Sequence, residues 1–177
     1  RLRDTHPEKR INEMTNDLLG QLEHSYETRK GYWKGGTVSV YGYGGGIIPR
    51  FSEVGDVFPK SIVNIGNKAF WRCYKLKTVK FSMNSQLKTI GSQAFTECLN
   101  LTQVEIPDSV TTIGWGAFAN CSALTEVTIG NSVTTIGNGA FNSCSALKWL
   151  TFNTSQLTTI GQDVFANCSA LTEVTIP

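Results

Sequence analysis

Five cysteines carry most of the chemical potential of this 177-residue chain: Cys73, Cys98, Cys121, Cys144 and Cys168. As thiolates, cysteines ligate metals, attack electrophiles and oxidise in pairs. Each of those uses demands a spacing. Structural zinc sites take paired ligands about two to four residues apart, often with histidine, and disulfide frameworks use an even count at irregular intervals. Here the intervals are 25, 23, 23 and 24 residues. The two histidines, His6 and His24, both lie upstream, so no cysteine has a histidine nearby to share a metal or activate a nucleophile. The pattern fits thiols used as small apolar side chains in one buried column. No catalytic residue, metal or cofactor is expected.

The regular interval belongs to a longer repeat. Copies begin at Ile65, Ile90, Ile113, Ile136 and Ile160 and read Ile-Gly-x-x-Ala-Phe-x-x-Cys-x-x-Leu-x-x-Val-x-Ile. Val164 replaces the alanine, Leu150 the valine, and Phe81 and Phe152 the last isoleucine. A single unit of this size cannot bury its own apolar face, whereas stacked units bury a continuous core. Leu124, Val127 and Ile129 resemble the strand element of a leucine-rich repeat, with alternate side chains turned inward. Ala117, Phe118 and Cys121 sit at offsets of three and four, which predicts a short helical turn. Gly66, Gly91, Gly114, Gly137 and Gly161 are assigned to a tight bend between the Val-Thr-Thr-Ile segment and that turn. The expected fold is an α/β right-handed solenoid of about five coils of 23–25 residues over residues 61–177.

On these motifs the chain resembles the BspA-like leucine-rich repeats, also described as the Treponema pallidum type. Residues 90–112, IGSQAFTECLNLTQVEIPDSVTT, carry the likeness, which runs from about Ser61 to Pro177. The resemblance implies a bacterial surface or secreted molecule that adheres to host matrix proteins, other cells or receptors, and it implies no catalysis. The last copy stops at Pro177 where an earlier one continues through Pro107, Asp108, Ser109 and Val110. More repeats, or a partner at that end, are therefore expected, and the absence of an initiator methionine suggests a fragment.

Residues 1–60 lack the repeat and any cysteine. Ile11, Met14, Leu18, Leu19 and Leu22 follow helical spacing, so a helix covering the open end of the first coil is expected, followed by a glycine-rich turn. The run YGYGGGIIPR fails the dinucleotide fingerprint, because Ile47 stands where the third glycine belongs. Residues 17–54 also resemble the N-terminal part of the dissimilatory sulfite reductase alpha subunit, through Trp33-Lys34-x-Gly36 and Gly42-Tyr43-Gly44-Gly45-Gly46 with Arg50. That resemblance implies proximity to a sirohaem, with Arg50 as the anion-contacting candidate. Pro49 departs from the glycine expected there, and the cluster-ligating cysteine run is absent. The alternative readings are thus an inactive reductase remnant or a structural spacer.

Recognition residues are sought on the outward strand positions. One column is Thr78, Gln103, Glu126, Trp149 and Glu173, and a second is Lys80, Glu105, Thr128, Thr151 and Thr175. Trp149 is a large aromatic at a polar position between glutamates, which marks it as a candidate anchor for a protein ligand, with Gln103, Glu126, Glu173, Thr128 and Thr151 around it. Lys68, Arg72, Lys75, Lys77, Lys80 and Lys88 make the first coil basic. Later coils are rich in Thr, Ser and Asn with few cations, so nucleic acid is not expected as a partner. With 40% hydrophobic residues, a net charge of +2 and no apolar run near the membrane-spanning length, the composition fits a soluble, cored chain without a membrane span, and the extracellular or surface setting is what the family resemblance implies. Four asparagines, Asn100, Asn120, Asn153 and Asn167, match the glycosylation acceptor triplet, a frequent accident in such composition.

Overall fold

The computed structural model describes residues 37–38, 57–58, 62–74 and 76–177. Every described strand is parallel to its neighbours, and each coil but the last contributes one strand to each of two sheets. The first sheet has two-residue strands: β1 (Thr37–Val38), β3 (Asn64–Ile65), β5 (Thr89–Ile90), β7 (Thr112–Ile113), β9 (Thr135–Ile136) and β11 (Thr159–Ile160), in that spatial order. The second runs β2 (Val57–Phe58), β4 (Thr78–Phe81), β6 (Gln103–Glu105), β8 (Glu126–Ile129) and β10 (Trp149–Phe152). Register is one coil per step, pairing Ile90 with Ile113 and Val104 with Val127. A one-residue slip would turn every inward side chain outward.

The third wall of each coil corrects the expected helical turn. No helix occurs among the described residues. The residues just before the alanine and just before the cysteine have left-handed backbone, as at Gln93 and Glu97 (φ 56° and 59°) and at Gly116 and Asn120 (φ 58° and 59°). A left-handed residue every fourth position stops helix propagation and leaves linked turns. The backbone donors then alternate. Ala117, Ala119 and Cys121 N–H donate within the coil to the carbonyls of Gly114, Gly116 and Phe118, at 3.2, 3.0 and 3.3 Å. Gly116, Phe118 and Asn120 N–H donate to Asn138, Ala140 and Asn142 of the next coil, at 2.9, 2.7 and 2.8 Å. The wall is therefore bonded from coil to coil as the two sheets are, and its buried amides are satisfied. The amphipathic helix expected at Ile11–Leu22 and the glycine-rich turn at 42–46 lie outside the described residues.

The glycines of the Ile-Gly pairs also have a different reason. None of Gly91, Gly114, Gly137 and Gly161 is among the described glycines with positive φ. A Cβ on Gly114 would instead stand 2.6 Å from Ser92 N and 2.7 Å from Gly91 C of the preceding coil. Close backbone approach excludes a side chain there.

Inside, like residues stack on like. The rings of Phe70, Phe95, Phe118 and Phe141 lie parallel, with centroids 5.1, 5.1 and 5.3 Å apart, and Phe165 continues the column at 5.9 Å. Phe58 closes the column edge-on, 5.5 Å from Phe70, and stacks on Phe81 at 5.2 Å. Phe58 lies upstream of the boundary expected at residue 61 and already belongs to the core. Strands β1 and β2 likewise extend both sheets upstream of the repeats.

Candidate functional site

The cysteine thiols lie in the core. All five are free and buried. The Sγ–H groups of Cys98, Cys121, Cys144 and Cys168 donate to the carbonyls of Phe70, Phe95, Phe118 and Phe141, each at 3.1 Å and each one coil back. Burial pushes Cys73 and Cys121 up to about 12 and raises the other three as well. They are protonated at neutral pH, which suppresses nucleophilic and metal-binding character. Among the described residues no group of three or more His, Cys, Asp or Glu is arranged to hold a metal.

The outer face of the five-stranded sheet is the accessible part. Val79, Val104 and Val127 point inward, so their neighbours along each strand point to solvent. The structure pairs Thr78 with Gln103, Gln103 with Glu126, and Glu126 with Trp149, and it pairs Glu105, Thr128 and Thr151 in a second row. Trp149 is 55% exposed, with the Lys148 ammonium 4.9 Å from the centre of its ring. Glu173 is exposed on the final segment, which forms no strand.

A groove of about 710 Å³ crosses β4, β6 and β8 on this face. Gln103, Glu126 and Thr128 line it together with Lys80 and Glu105, while Trp149, Thr151 and Glu173 stand outside it. Its walls are the corner segments around Ser82–Ser85 and Pro107–Ser109. Sequence reasoning missed those corners, and the one available signal was the 25-residue first interval beside 23-residue neighbours.

Among the described residues the cations of the first coil do not gather. Lys68 and Arg72 flank the Trp71 ring on the turn wall, at 5.6 and 4.5 Å from its centre, and Arg72 pairs with Glu97 of the next coil at 2.8 Å. Lys77 lies at the entry to β4, Lys80 on its outer face and Lys88 at the entry to β5, so the cations ring the coil. Lys75 and Arg50 lie outside the described residues.

Threonines bind the corners. Thr111, Thr134 and Thr158 hydroxyls donate one coil back to the carbonyls of Lys88, Thr111 and Thr134, at 3.2, 3.2 and 3.1 Å. Thr125 donates likewise to Thr102 O at 3.0 Å. The first threonine of each Thr pair is thus a staple between coils, a role beyond its β propensity.

Coils of this length, in parallel register around one apolar interior and with one sheet face open to solvent, define a leucine-rich repeat solenoid. The chain belongs to the BspA type leucine rich repeat family, whose pattern matches residues 63–177 in six copies. It is similar to a leucine rich cell surface protein of Faecalibacterium prausnitzii, with 29% identity, 77% of this chain and 41% of that one covered, and a TM-score of 0.56. A leucine-rich repeat protein of Bacteroides ovatus gives 28% identity over 63% and 30% of the two chains, with a TM-score of 0.53. The leucine rich repeat protein of T. pallidum gives 26% identity over 66% and 64%, with a TM-score of 0.50.

A stretch of 61 residues is 87% identical to the dissimilatory-type sulfite reductase alpha subunit of Allochromatium vinosum, covering 34% of this chain and 15% of that subunit. The corresponding subunit of Nitratidesulfovibrio vulgaris is 52% identical over 44 residues, covering 24% and 10%. The chain therefore spans only a small part of these curated relatives.

Proposed function

We propose that this chain is a protein-binding module displayed at a microbial surface or outside the cell, engaging a host matrix protein or receptor through the outer face of its five-stranded sheet. Trp149 is the anchor, and Glu126 and Glu173 set specificity beside it. The observation that carries this reading is the placement of Trp149. Its ring is more than half exposed on a strand held in register with β8, where a tryptophan has no interior to fill. A rigid aromatic on a fixed strand loses little conformational entropy on binding, the usual property of a hot-spot residue. Kinship to a cell-surface leucine-rich protein supports the setting.

The test is binding of wild type beside Trp149→Ala to an array of matrix proteins and acidic glycans, at low and at physiological salt. Retention at physiological salt that drops tenfold or more in the variant, about 1.4 kcal/mol, is the expected result. Binding confined to low salt would move the activity to the scattered cations instead, and no retention at either salt refutes the module reading.

A further inference from the structure

The groove over β4, β6 and β8 has features that the rest of the sheet face lacks. Its first-coil wall, residues 82–86, is two residues longer than the equivalent segment 107–109 of the next coil. The added length carries Met83, which at 89% is the most exposed large apolar side chain among the described residues. Asn84, with φ 61°, forms the tip of the bend. The bend is tied down, because Ser85 N–H donates to Ser82 O at 3.1 Å and Leu87 N–H to Ser85 Oγ at 3.2 Å. Met83 is therefore an apolar lip presented on a bonded turn.

The charge of the groove is one-sided. Glu105, Asp108 and Glu126 line it against a single cation, Lys80. Asp108 is oriented by Asn131, whose N–H donates to its Oδ1 at 2.8 Å. Each corner segment also contributes a lining serine, Ser82 and Ser109, whose buried hydroxyl has no hydrogen-bond partner among the described residues. A buried hydroxyl left unpaired is unfavourable until something supplies a partner.

We infer that this groove takes an extended segment of a partner protein that bears lysine or arginine, with an adjacent apolar side chain resting on Met83. The inference rests on reading the sheet face as a protein-binding surface and names its ligand chemistry. Three carboxylates against one ammonium select a cationic ligand by complementarity. Three parallel strands span about 10 Å, the length of roughly three extended residues. The flexible thioether of Met83 accommodates apolar side chains of differing shape.

The probe is a blocked pentapeptide, acetyl-Lys-Leu-Lys-Leu-Lys-amide, with analogues carrying Gln or Glu at every Lys, titrated into the full chain at physiological salt. Binding is read from backbone amide shifts and the Met83 methyl resonance. The lysine peptide should shift Glu105, Asp108, Glu126 and Met83 saturably, at least tenfold more tightly than the glutamine analogue, with no response to the glutamate analogue. E105Q with E126Q should weaken it tenfold or more, and M83Q about threefold, at an unchanged unfolding midpoint. Equal affinity for lysine and glutamine peptides, absence of saturable shifts, or indifference to both variants overturns the inference. Retention on the matrix array without peptide binding would sink the groove alone. Peptide binding that survives Trp149→Ala, with no array retention, would sink only the matrix-binding reading.

Discussion

Raising the pH should unfold this protein through its cysteine column. Cys73 and Cys121 are pushed from an ordinary value of 9.0 up to about 12 by burial, and Cys98, Cys144 and Cys168 are raised in the same direction. The folded value exceeds the unfolded one, so the stabilisation is complete below about pH 9 and is lost as pH climbs toward the folded value. At pH 10 a thiol that ionises at 9.0 when unfolded and near 12 when folded withdraws about 1.4 kcal/mol. Cys73 and Cys121 together withdraw about 3 kcal/mol, a substantial share of the roughly 5–15 kcal/mol that holds a domain together, and the other three thiols act in the same direction. The assay is urea denaturation followed by circular dichroism between pH 7.5 and 10.5, under reductant, for wild type and Cys121→Ala. At neutral pH the variant should be weaker by about 1–2 kcal/mol, because it loses the sulfur volume and the Sγ–H bond to Phe95 O. It also loses one of the five protons that drive the alkaline slope, so its curve should converge on wild type near pH 10. Parallel curves across that window would refute the argument.

The remaining predictions concern packing and access. Gly114→Ala, whose Cβ would meet preceding-coil backbone at 2.6 Å, should cost on the order of 2–3 kcal/mol in denaturant midpoint analysis. Gly116→Ala, at φ 58° but with its nearest neighbour atom 3.4 Å away, should cost only about 1–2 kcal/mol. Phe58→Ala should cost about 3–5 kcal/mol by exposing the end of the phenylalanine column. A thiol reagent should label few sites in the native protein and all five in denaturant, and full labelling without denaturant would contradict the buried ladder. Iodide should quench Trp149 emission, measured as the difference between wild type and Trp149→Phe, because more than half of that ring is exposed.

The interior of this fold was legible because two periodicities agree. The Val-x-Ile alternation states which strand side chains point inward, and the 23–25-residue interval states which of them stack. The turn wall was misread because offsets of three and four suit both a helical turn and two linked β-turns. Left-handed backbone decides between them, and Lys68, Arg72, Gln93 and Glu97 adopt it although their types do not advertise it. The coil-to-coil hydrogen bonds of that wall hold them there. The basic residues of the first coil are dispersed for a topological reason. Residues 68–88 wind around most of one coil, so neighbours in sequence face different directions in space.

The same topology separates stability from recognition. Trp149 occupies the register position that Gln103 and Glu126 hold in earlier coils, and β10 still pairs with β8 through all four residues. Its exchange for a polar residue therefore alters the surface and leaves the ladder alone. The two-residue extension at Met83 and Asn84 makes the same point for the backbone. On one side of it Ser82 N–H still reaches Phe58 O at 3.1 Å, and on the other Gly91 N–H still reaches Ile65 O at 2.8 Å. Coil length varies at that corner because the strands on both sides are pinned independently, each by its neighbour one coil back. A surface built this way can change its ligand coil by coil, since altering an outer column or a corner disturbs neither the stacked phenylalanines nor the thiols beneath them.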